Sequence, residues 1–168
     1  MLDMLSFSRN RCTSVEQVDD NTVKSTCRLQ DTLMEAVVEI TVKLPDLEII
    51  GIKGEVYRST QKECLEPLDF LQKAIGVRIG SSMLKIIKGL VGEATKCKQL
   101  SFMVEECCHG VILAFTKDTL ISSPRPKELE EAKEFYGKMV KGNIRVLNRC
   151  AAFAPGSSLV EGIEMPNE

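Results

Sequence analysis

A strict alternation over residues 36–44 limits this chain's folding choices more than any other feature. Ala36, Val38, Ile40, Val42 and Leu44 alternate with Val37, Glu39, Thr41 and Lys43. Successive side chains of a strand point to opposite faces, so a period of two predicts a strand with one buried face. Pro45-Asp46 then predicts a tight connection. Leu47–Arg58 reads as a second strand, with Ile50, Ile52 and Val56 on one side. Together they predict an antiparallel hairpin. Upstream, Ser6–Thr13 and Thr22–Leu29 are expected as shorter strands on either side of the turn-prone Asp19-Asp20-Asn21.

The pattern changes to helical spacing at Cys64. Leu65, Leu68, Leu71 and Ile75 predict a first helix, with Pro67 in its first turn and Gly76 at its end. Ser81 or Ser82 would cap a second, carrying Met83, Leu84, Ile86, Ile87 and Leu90 and closed by Gly92. A third is expected from about Thr95 to Phe115. Its buried stripe would be Leu100, Val104, Cys107 or Cys108, Val111 and Phe115. Beyond the Pro-containing linker Ser122–Pro126, a fourth begins with Glu128, Glu130, Glu131 and Glu134 and ends near Lys138, Lys141, Arg145 and Arg149. That order of charges complements the helix dipole. Gly137 and Gly142 are the places where it would kink or stop. Strands followed by helices predict an α+β domain over residues 1–150, an antiparallel sheet covered by helices, with 151–168 as a loose tail.

Composition narrows the function. Twenty-two Lys and Arg against 24 Asp and Glu give a net charge of −2. This offers no general attraction for nucleic acid or an anionic membrane. No apolar run approaches the roughly 18 residues of a membrane span. The start, with Asp3 and no apolar core, does not read as a secretory signal. Seven cysteines cannot all pair within one chain. An odd, high count without a signal predicts reduced thiols and a cytoplasmic location.

The thiols are therefore the chemical lead. They sit at 12, 27, 64, 97, 107, 108 and 150, and none forms a C-x-x-C pair. Cys97 and Cys108 would share one face of a continuous helix. Eleven residues rise about 16 Å, too far for two ligands of one ion. Cys107 and Cys108 in mid-helix read as small buried residues, and the single histidine, His109, as a satisfied or solvated side chain. Cys64 and Cys97 fall at predicted helix starts beside Lys62, Lys96 and Lys98. Free N–H groups and basic neighbours favour a thiolate there, which is what a metal requires.

Two resemblances reach the same positions. Asp31 before a strand, Cys64 after the second strand of the hairpin, and Lys96-Cys97-Lys98-Gln99-Leu100 resemble a bacterial family of unknown function. That family carries Gly-Cys-Thr-His-Leu at the last segment; its Gly and His positions hold Lys96 and Gln99 here. More distantly, residues 27–115 are similar to iron–sulfur scaffold proteins of the NifU and IscU type. Ile79–Leu84 with Lys88-Gly89 matches their small-residue helix, and Lys96-Cys97 through Glu106 their third-cysteine segment. The resemblance implies a scaffold without turnover, binding zinc or an iron–sulfur cluster through Cys64 and Cys97, with Asp31 and Cys27 assisting. Two alternatives stay open: an interaction module with structural cysteines that docks a protein partner or a second copy, and a thiol-dependent sulfur-transfer protein.

Overall fold

The computed structural model describes residues 6–65, 68–80, 83–92, 97–122, 126–142, 144–148 and 150–163. The chain forms two compact units, residues 1–118 and 119–168.

The first unit is built on a four-stranded antiparallel meander in the order β1-β2-β3-β4. The strands are β1 Arg9–Asp19, β2 Thr22–Asp31, β3 Met34–Lys43 and β4 Glu48–Ser59. The alternating run is β3 as expected. Ala36, Val38, Ile40 and Val42 are buried, in register with Leu29, Cys27, Ser25 and Val23 of β2. The hairpin turn between β1 and β2 is closed by Asp19 Oδ1, which accepts from the Asn21 amide at 2.8 Å. The strands outrun the sequence expectation, above all β1, which continues to Asp19.

One correction falls on β4. Ile50 is 44 % exposed, and Ile49 and Ile52 are buried instead. The register shifts there, from Thr41↔Gly51 to Val42↔Ile49. The extra residue is a bulge, which turns Ile50 out of the period-two pattern.

The expected first helix is instead two 3₁₀ segments, Lys62–Leu65 and Asp69–Ala74. Leu65, Leu68, Leu71 and Ala74 recur every three residues, the repeat of a 3₁₀ helix. Leu71 and Ala74 are buried, and Gln72 Nε2 donates to Ile52 O of β4 at 2.8 Å. Gly54 makes room for this segment. A Cβ there would stand 2.4 Å from Leu71 Cδ1. Gly76, at φ +87°, ends the segment as expected. Pro67 lies outside the described residues, as do Ser81, Ser82, Thr95, Lys96 and Arg149.

Helix α1, Met83–Ile87, passes into a π-helical turn, Lys88–Gly92. Helix α2, Lys98–Ser122, is longer than expected. Leu100, Met103, Val104, Cys107, Cys108 and Val111 are buried on it, whereas Phe115 is 36 % exposed. Gly110 lets α2 approach the sheet closely. A Cβ there would lie 3.0 Å from Thr13 Cγ2 and 3.2 Å from Ser25 Oγ and Val15 Cγ2.

In the second unit, α3 runs Leu129–Gly142 and stops at Gly142, short of Arg149. The turns Ile144–Val146, Ala151–Phe153 and Ser158–Val160 follow. Val140, Val146, Leu147 and Val160 form a small core of their own, with Phe153 beside it. Residues 151–163 thus contribute packing, where the sequence predicts a loose tail. No helix among the described residues is long and apolar enough to cross a membrane.

Candidate functional site

Burial sorts the seven thiols. Cys27, Cys107 and Cys108 are fully buried in the main core, Cys12 and Cys150 are exposed, and Cys64 and Cys97 lie between. Cys27 projects from β2 toward α2, where Cys107 meets it; Cys107 Sγ also contacts Val38 O at 3.5 Å. Burial pushes the Cys27 thiol above its ordinary value, against an opposing hydrogen bond from Thr13. The same desolvation raises Cys107 further and carries Cys108 up to about 12. These three remain neutral thiols, inert at physiological pH.

Asp31 is equally committed. Its Oδ2 accepts from Arg9 Nε and Nη2 at 2.8 and 2.7 Å. Its Oδ1 accepts from the amides of Leu33 and Met34 at 2.8 and 2.6 Å. Burial alone would raise this carboxyl's pKa. The Arg9 guanidinium and the two amides outweigh burial and hold it below the ordinary range. These bonds tie the start of β1 to the β2–β3 turn. A metal would have to displace them.

Cys97 does sit where the sequence predicts, at the N-terminal tip of α2; the Ser101 amide donates to its carbonyl at 3.3 Å. Cys64 differs. It lies in the four-residue turn Lys62–Leu65, too short to present the N-terminus of a long helix. Among the described residues, no three His, Cys, Asp or Glu side chains gather as a metal group would require.

Two features escaped the sequence reading. Ser101, Glu105 and His109 follow one another at i, i+4 spacing along α2. Ser101 Oγ donates to Glu105 Oε1 at 3.5 Å. Burial raises the Glu105 carboxyl, while His109, Ser101 and Lys88 pull it back. The spacing was visible in the sequence; that a carboxyl would be half-buried there was not.

The second feature is the face of the sheet opposite α2. It holds a shallow depression of about 730 Å³. Lys24, Arg28 and Lys53 line it with Glu16, Glu39, Glu55 and Asp69. Lys24 pairs with Glu16 and Glu39 across the strands. Tyr57 stands there 58 % exposed. The signal was the second set of the alternation, Val37, Glu39 and Thr41, which is too polar to lie beneath a helix.

No protein-family model, curated protein or solved structure matches this chain. The likeness to the bacterial family and to the iron–sulfur scaffolds rests on the quoted residues alone.

Proposed function

We propose that the protein is a non-catalytic interaction module that docks a polypeptide partner on the face of its sheet opposite α2. The observation that carries this reading is Tyr57, a large aromatic left 58 % exposed in a depression that also holds Arg28. Tyr and Arg are the side chains most enriched at the centres of protein interfaces. The surrounding charges carry both signs, which suits a polar polypeptide and gives a polyanion no continuous basic path. The test is a photo-crosslinking amino acid at position 57 in the producing cells. A single discrete adduct, abolished by Arg28→Glu, is expected. No adduct, or one indifferent to Arg28→Glu, overturns the reading.

Metal binding through Cys64 and Cys97 is a second reading. It is favoured by their partial exposure, which leaves both thiols reachable while three others are sealed in the core. Protein purified from cells supplied with iron or zinc would then hold about one metal site per chain. The Cys64→Ser/Cys97→Ser double variant would hold none. Equal metal content in the two preparations refutes it.

A further inference from the structure

We draw no further inference here: the strongest candidate, the Ser101–Glu105–His109 side-chain cluster on the flank of α2, where His109 Nε2 is enclosed without a hydrogen-bond partner, gathers no third metal-type ligand among the described residues, and nothing in the structure shows what would occupy it.

Discussion

Gly110 and Gly137 both lie inside helices, yet the same substitution should move stability in opposite directions at the two. Alanine in place of a helical glycine gains about 1 kcal/mol from reduced backbone freedom in the unfolded chain. At Gly137 an added Cβ meets nothing within 4 Å. Gly137→Ala should keep most of that gain, about 0.5–1 kcal/mol. At Gly110 the methyl would sit 3.0 Å from Thr13 Cγ2 and 3.2 Å from Val15 Cγ2 and Ser25 Oγ. Thr13 and Val15 are β-branched, stiff at χ1 and anchored in β1, so they yield only if α2 or the strand shifts. Overpacking of this kind costs about 1–3 kcal/mol. Set against the helix gain, Gly110→Ala should destabilise by roughly 1 kcal/mol, and Gly110→Val by roughly 3 kcal/mol. Urea and thermal unfolding followed by circular dichroism measure both. The two glycines belong to separate compact units, and each change is read as a shift of the midpoint against wild type. A shift of 1 kcal/mol corresponds to about 4 °C in the larger unit, which holds Gly110, and about 9 °C in the smaller, which holds Gly137. If Gly110→Ala raises the midpoint as Gly137→Ala does, α2 does not press on the sheet at Gly110, and the packing argument fails.

Three further outcomes follow from the side chains. Asp31→Asn should lose about 1–3 kcal/mol at neutral pH, because Arg9 and the Leu33 and Met34 amides lose an anionic acceptor. Since the folded carboxyl titrates below its unfolded value of about 3.9, its contribution is complete above that pH and fades as pH falls through the folded value. Wild type and variant should therefore converge in acid; a gap that does not depend on pH contradicts the assignment. Thiol titration without denaturant should modify Cys12 and Cys150 within the first phase, and reach Cys27, Cys107 and Cys108 only on unfolding. Early labelling of Cys107 or Cys108, read by peptide mass, would place those thiols outside the core. Leu147→Ala should lower the midpoint of the second unit by roughly 2 kcal/mol and leave the first unit unchanged, and a shift in both transitions would show that the units unfold as one.

How much of this was legible beforehand depended on the range of the signal. The β3 alternation, the Asp19–Asn21 turn, the stop at Gly76 and the burial of Cys107 and Cys108 are local patterns. Each is set by residues within a few positions of one another. The bulge at Ile50 was hidden because it is a relation between strands: Val42 pairs with Ile49 rather than Ile50. The two 3₁₀ segments were misread because Leu65, Leu68 and Leu71, each three apart, fit the i, i+3 stripe of an α-helix as well as the repeat of a 3₁₀ helix. Only Gly54 and Ile52 of β4, across the sheet edge, select the tighter winding.

The candidate site divides along the same line. Sequence alone settled that the chain is α+β, that one face of its sheet is apolar and the other polar, and that its cysteines follow no close-spaced metal pattern. These depend on residue type and order, which fix solvent preference and backbone geometry locally. Tertiary structure alone decided which thiols are sealed in, that Asp31 is consumed by Arg9 and two backbone amides, and that Gly76–Ile79 hydrogen-bonds along the start of β4. Apart from the two neighbouring amides, those outcomes come from desolvation and pairing between groups 20 or more positions apart, such as Arg9 with Asp31 and Cys107 with Val38. No local pattern records such a distance, because it exists only once the chain has closed on itself.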